Sequence, residues 1–322
     1  MSQQMSIHRS AERLTAIPVI DLSGSFSPSL ERRERVAIEI RSACRDMGFF
    51  YVRNHGVPET TIEAMLETSR RFFGKPPAAK LQLVGAGGFG YDPSRLQVLD
   101  AAAPPDLKEG FMMGVAENEL ARSVKWPADM PELRERLQEY DGQVRRLGRH
   151  LIHCIALSLE LPEAYFDDGY DRPSCSVRLL HYAPRPNDAL PNQLGAGAHT
   201  DWGAITMLYQ DDVGGLEVLG AGGEWIKATP LPGTFVINLG DMIRRWTNDA
   251  YRSTLHRVVT GAANRDRYSI ATFFDPRADY RVVCVPTCLA ANEAPRYPPC
   301  TVGEHIMEMM RKTYGAALES HA

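Results

Sequence analysis

The feature that most limits what this chain can fold into is a change of period near Ser176. Before it, apolar residues recur at helical spacing. After it come "SVRLLHYA", "AITMLYQD", "GLEVLG", "EWIKATPL", "TFVINLG", "STLHRVV" and "RYSIATFF". These runs are short, rich in β-branched and aromatic residues, and bounded by Gly, Pro, Asn or Asp, which is how strands and their turns read. A doubly wound parallel sheet needs a helix in each crossover, and none intervenes here. Seven or eight strands in direct succession therefore predict a sandwich or jelly roll.

The preceding half is mostly helical. "IPVIDLSGSF" and "GFFYVRNHGVP" read as two short strands around one helix. Ser27 is its expected cap, Pro28 fits its first turn, and Val36, Ala37, Ile40, Cys44 and Met47 form its apolar stripe before Gly48 ends it. A second helix is expected from Glu59 to Phe73, with Ile62, Leu66, Ser69 and Phe73 on one side. A third runs from Pro131 to Leu161, with Leu133, Leu137, Tyr140, Val144, Leu147, Leu151, Cys154 and Ile155 buried. "VGEHIMEMMRKTYGAAL" returns to helix at the tail. The expected class is α+β: a mostly helical N-terminal region, 1–160, packed on a β-core, 161–322, that ends in a C-terminal helix. A chain of 322 residues can hold both in one cooperative unit.

A formal net charge of -4 supplies no basic field, so neither nucleic acid nor an anionic membrane is an expected partner. No apolar run reaches the roughly 18 residues of a membrane span. "MSQQMSIHRSAERL" lacks the apolar centre of a secretory signal, so the expected location is cytoplasmic. The cysteines, Cys44, Cys154, Cys175, Cys284, Cys288 and Cys300, form no CxxC pair and read as reduced thiols. Gly85, Gly87 and Gly90 match a dinucleotide fingerprint in spacing, but no strand–helix unit surrounds them, so a flexible loop is expected. His150 and His153 read as helix-packing residues, and His55 as a hydrogen-bonding residue beside a turn.

One stretch does not fit a purely structural account. In "AHTDWGAI", His199 and Asp201 stand at i and i+2, so along extended backbone both project to one side. "STLHRVV" offers His256 on a later strand. Two neutral imidazoles and one carboxylate on one face of a metal make the facial triad of non-haem Fe(II) sites, with coordination positions left open. In "RDRYSIATFF", Arg267 and Ser269 are again i and i+2, a guanidinium fork and a hydroxyl suited to a carboxylate.

In this order, "HTD", "STLHRVV" and "RYS" resemble the iron(II)/2-oxoglutarate-dependent dioxygenases of the isopenicillin-N-synthase-like family, and "IPVIDLS" with "GFFYVRNHGVP" resembles that family's N-terminal module. The likeness spans nearly the whole chain. Within the family it is greatest to thymine 7-hydroxylase-type enzymes, through "RLLHY", "HTDWGAITMLYQD", "GGLEV" and "RWTNDAYRSTLHRVV". It implies a double-stranded β-helix, Fe(II) on His199, Asp201 and His256, and 2-oxoglutarate held by Arg267, Ser269 and Tyr182. Dioxygen would be the oxidant and ascorbate an accessory reductant. By position, Arg178, Phe273, Tyr91 and Phe111 would border the pocket of a small-molecule substrate, and "PRPNDALPNQLGAG" would form a lid edge. The protein would act as a monomer or homodimer. Two alternatives share these motifs: an Fe(II) oxidase on the same scaffold that uses no 2-oxoglutarate, and a non-catalytic metabolite-binding relative.

Overall fold

The computed structural model describes residues 16–319, apart from 86–87, 101–102, 115–121, 261–263 and 291–292. The fold is α+β. Its larger sheet has eight strands in the order β1-β2-β10-β7-β12-β5-β4-β3. They are β1 (Val19–Asp21), β2 (Phe49–Arg53), β3 (Gly90–Asp92), β4 (Glu109–Met113), β5 (Ser174–Tyr182), β7 (Ile205–Gln210), β10 (Phe235–Leu239) and β12 (Arg267–Asp275). Every adjacent pair is antiparallel except β1–β2. The smaller sheet, in the order β6-β11-β8-β9, contains β6 (Ala196–His199), β8 (Leu216–Leu219), β9 (Trp225–Lys227) and β11 (His256–Val258). A two-stranded ribbon, β13 (Arg281–Val282) with β14 (Cys300–Thr301), precedes the tail helix.

Strand alternation sorts the large sheet into two faces. Phe50, Val52, Val177, Leu179, Met207, Ile237, Ile270 and Phe274 join one cluster with the helices α1 (Leu30–Asp46), α2 (Glu59–Phe73) and α4 (Glu132–Ser158). A short α3 (Pro77–Leu81) follows α2. Their neighbours Phe49, Tyr51, Leu180, Tyr182, Val236 and Ala271 turn the other way and pack with Ala196, Leu216, Val218, Ile226 and Val258 of the small sheet. The helices therefore back the large sheet, and the small sheet covers its front. Because β1 and β2 belong to the same sheet as the later strands, the helical half is built into the framework.

The expected strands and the three long helices are present, with some local differences. Helix α1 starts at Leu30, because Ser27 accepts the Ser29 N–H (3.2 Å) and keeps the chain turning through Pro28. Gly48 ends it with φ +71°, where an added Cβ would meet the Arg252 carbonyl at 2.2 Å. Strands β3, β4 and β6 go beyond the sequence expectation. Of the glycine run, Gly87 lies outside the described residues. Gly85 passes so close to the Phe89 carbonyl that a Cβ would sit 2.2 Å from it, and Gly90 has φ +78°. A strand rather than a helix follows, so the spacing serves a tight return and no dinucleotide fingerprint. The six cysteines are free. His150 stacks on Phe26 and bonds Ser25, His153 bonds Asp167, and His55 Nδ1 accepts the Val57 N–H, all structural contacts. Among the described residues no helix is long and apolar enough to cross a membrane.

The tightest helix–sheet approach lies where Gly148 of α4 meets Phe274 of β12. A Cβ there would stand 2.8 Å from the ring, which is fully buried and stacked on Tyr170. Alanine is the better helix former by about 1 kcal/mol, but overpacking a rigid site costs about 1–3 kcal/mol. Gly148→Ala should therefore lower the urea midpoint, whereas a raised midpoint would show that the ring yields.

Candidate active site

β6 and β11 run antiparallel with His199 directly opposite His256. The pairing brings two residues far apart in sequence together, and their ring centroids lie 4.3 Å apart. Asp201 follows two residues after His199, where the strand has ended. Its Oδ1 lies 3.7 Å from His199 Nε2 and 3.8 Å from His256 Nε2, and one donor atom from each residue falls within 4.8 Å of the others. The backbone sets both imidazole tautomers. His199 Nδ1 donates to Gly197 O (2.8 Å) and His256 Nδ1 to Thr254 O (3.2 Å), which leaves both Nε2 lone pairs facing the shared centre. Asp201 Oδ2 accepts from Asn238 Nδ2 (2.7 Å) and Thr206 Oγ1, so Oδ1 is the oxygen turned inward.

The electrostatics agree with this arrangement. Burial, then His256, hold the His199 imidazole well below its ordinary pKa and keep it neutral. Burial pushes Asp201 upward, but His256, His199, Asn238 and Thr206 outweigh it and keep the carboxylate ionised. Two imidazole nitrogens and one carboxylate oxygen are the donor set of a divalent transition metal with open positions. Phe49 packs edge-on against His256 at 5.2 Å. His305, on helix α6 (Val302–Glu319) beyond the short α5 (Asp241–Trp246), bonds the Trp202 carbonyl (2.8 Å) next to Asp201.

On the front of the large sheet, Arg267 pairs in register with Tyr182, and Ser269 with Leu180. Arg267 is 3% exposed and Ser269 1%. The guanidinium donates to Gly214 O (2.6 Å), Ser269 Oγ (3.0 Å) and Gln210 Oε1 (3.3 Å), and its centre lies 4.7 Å from the Tyr182 ring centroid. Among the described residues no carboxylate lies within ion-pair distance of it. A buried cation with only neutral partners is costly, and an anionic ligand would offset that cost. Burial, foremost, raises the Tyr182 hydroxyl's pKa, so it stays a neutral donor.

Arg178 and Phe273 share this front face. Arg178 is held by Asp92 and by Gln97 Oε1 (3.2 Å), and its Nε is buried without a partner. Tyr91 and Phe111 do not line the front. They pair with each other across β3–β4 and, with Leu179, point into the helix-side core, where Phe111 meets Phe72 at 5.0 Å and Trp126 at 5.4 Å. Alternation puts Asp92, Gly110 and Met112 in front instead, which corrects the expected pocket border. Asn238 lies outside the quoted motifs, and Thr206, though within "HTDWGAITMLYQD", is not singled out there. The one sign of Asn238 is a polar residue interrupting the apolar run "TFVINLG".

Comparison with known proteins gives consistent results. The profile of the 2OG-Fe(II) oxygenase superfamily matches residues 173–276, and that described as non-haem dioxygenase in morphine synthesis N-terminal matches 17–133. The chain is 34% identical to a 2-oxoglutarate-Fe(II) type oxidoreductase of Emericella nidulans, over 94% of this chain and 92% of the relative. It is also 34% identical to a 2-oxoglutarate-dependent dioxygenase of Monascus ruber, over 92% of this chain and 95% of the relative. Among solved structures, a full-length Neurospora crassa protein of the thymine 7-hydroxylase type, in complex with alpha-KG and thymine, matches with TM-score 0.85 and 31% identity, covering 92% of this chain and 97% of that one.

The geometry makes a prediction about stability alone. Asn238→Leu keeps the volume but removes a donor from a buried carboxylate, which should cost about 1–3 kcal/mol. Chemical denaturation of the metal-free chain checks it, and an unchanged midpoint would mean the bond to Asp201 contributes nothing.

Proposed function

Because the chain belongs to the 2-oxoglutarate–Fe(II) oxygenase superfamily, with a relative of the thymine 7-hydroxylase type, we propose that His199, Asp201 and His256 hold its ferrous ion, and Arg267, Ser269 and Tyr182 its 2-oxoglutarate. The protein is a 2-oxoglutarate-dependent non-haem iron dioxygenase. The iron supplies the oxidation, in which dioxygen is consumed, 2-oxoglutarate is converted to succinate and carbon dioxide, and a C–H bond of a small organic substrate is oxidised. The observation that carries the residue assignment is the convergence of two imidazole nitrogens and one carboxylate oxygen within 4.8 Å.

The chain's own residues then have separable tasks. The Gly197 and Thr254 carbonyls hold the imidazoles in the tautomer that presents Nε2. Asn238 and Thr206 fix Asp201 so that one oxygen faces the imidazoles. Arg267 supplies the charge that a dicarboxylate's far end needs, and Ser269 and Tyr182 complete that anchor, so the cosubstrate is oriented before reaction. Apolar side chains of both sheets, among them Leu180, Val218 and Val258, exclude water around the reacting atoms. The substrate would lie against Phe273 and the Arg178–Asp92 pair, an aromatic wall with a polar end. In this reading the facing sheets of 161–322 form a double-stranded β-helix, and 1–160 its N-terminal module.

Two measurements test the assignment. His256→Ala should abolish Fe(II)-dependent succinate formation, and full activity in that variant would contradict it. Charge-assisted hydrogen bonds are worth about 1.5–3 kcal/mol, so Arg267→Leu should raise the KM for 2-oxoglutarate by about 10- to 100-fold. Its unfolding midpoint should change far less. An unchanged KM in a folded variant would remove Arg267 from the cosubstrate site.

A further inference from the structure

His199 stands on an edge strand of the small sheet. That strand, β6, is paired only with β11, and their register shifts between His256 and Val258. An edge with a broken ladder leaves backbone groups that need partners from elsewhere. The Gly197 N–H finds its partner in a buried side chain, donating to Asp106 Oδ1 at 2.8 Å. The carbonyl of the same residue accepts the His199 Nδ1–H, also at 2.8 Å. Gly197 is thus held at its N–H by Asp106 and holds His199 through its C=O. The approach is close, since a Cβ would lie 3.0 Å from Asp100 and 3.3 Å from Asp106 Oδ1.

Asp106 is itself fixed. Its carboxylate pairs with Lys108, and the two side chains are 2% and 4% exposed. Its backbone N–H donates to Gln97 O (2.8 Å), its carbonyl accepts from Arg95 (3.0 Å), and the next N–H donates to Leu194 O (2.8 Å). A buried ion pair is by itself weak grounds for stability. Burial, the largest influence, pulls the Lys108 ammonium down to about 8 despite Asp106, so desolvation outweighs the attraction. Buried pairs of this kind can be replaced by apolar residues without loss of stability. What an apolar replacement would not supply is the acceptor for Gly197.

We propose that Asp106 is a positioning residue for His199, its carboxylate serving as the partner of the Gly197 N–H on this edge strand while Lys108 keeps that carboxylate aimed. The inference rests on the reading of His199 as an iron ligand. It links the segment carrying Gln97, a partner of Arg178, to the metal centre through one carboxylate.

The test measures anaerobic Fe(II) affinity of the full chain by competition with a chromophoric chelator, in two double variants. Asp106→Leu/Lys108→Met removes the charges and the acceptor. Asp106→Asn/Lys108→Met removes the charges and keeps an amide oxygen for Gly197. The Leu/Met chain should bind Fe(II) at least about tenfold more weakly than wild type, the usual effect of losing a residue that orients a ligand, and the Asn/Met chain within about threefold. Wild-type affinity in a folded Leu/Met chain overturns the proposal, as does a tenfold loss in a folded Asn/Met chain. If the Leu/Met chain does not fold, the Asn/Met result decides alone. Wild-type affinity in His199→Ala would instead refute the ligand reading on which the inference stands.

Discussion

The site depends on one register. Antiparallel pairing of β6 with β11 sets His199 against His256, and without it the two imidazoles have no common centre. A slip of one residue would turn one histidine to the opposite face of the small sheet. The rest of the structure reads as support for that pairing. Val218 lies beside His256 on β8, Phe49 packs its ring from the large sheet, and Asn238 and Thr206 reach across to hold Asp201.

The same facing of two sheets separates the demands on the pocket. The proposed metal donors come from the small sheet and the turn after it. The proposed anion clamp comes from β12 and β5 of the large sheet, where Arg267 lies against Tyr182. His199, His256, Arg267 and Tyr182 rest on strands, and Asp201, beyond the end of β6, is held by Asn238 and Thr206 of the large sheet. Helix α6 places His305 on the Trp202 carbonyl beside Asp201, whereas α1, α2 and α4 stay on the far side of the large sheet. They bury the back of the large sheet, and α4 does so closely enough that Gly148 leaves no room for a methyl group.

Much of this is legible in the sequence because strand geometry is periodic. The i, i+2 spacings of His199 with Asp201 and of Arg267 with Ser269 set which side chains act together, and strand composition after Ser176 sets the class. The failures have the same physical origin. The resemblance puts Tyr91 and Phe111 at the pocket by position, and nothing in the sequence corrects it, because β3 and β4, short and glycine-containing, do not announce themselves as strands and their alternation is invisible. Once the strands are seen, Phe111 pairs with Leu179 and must face the helices. Asp106 and Asn238 act through contacts distant in sequence, to Gly197 and Asp201, and no local pattern encodes those. The start of α1 shifts because Ser27 satisfies a neighbouring backbone donor instead of the helix end.

The central claim is that His199, Asp201 and His256 share one ferrous ion beside a cosubstrate anchored by Arg267. Anaerobic titration of the Fe(II)-loaded protein with 2-oxoglutarate, read by its visible charge-transfer absorption, tests this most directly. The account predicts a band that saturates at one 2-oxoglutarate per iron in the wild type and is lost when any one of the three is replaced by alanine. A band of undiminished intensity in any folded alanine variant would contradict it.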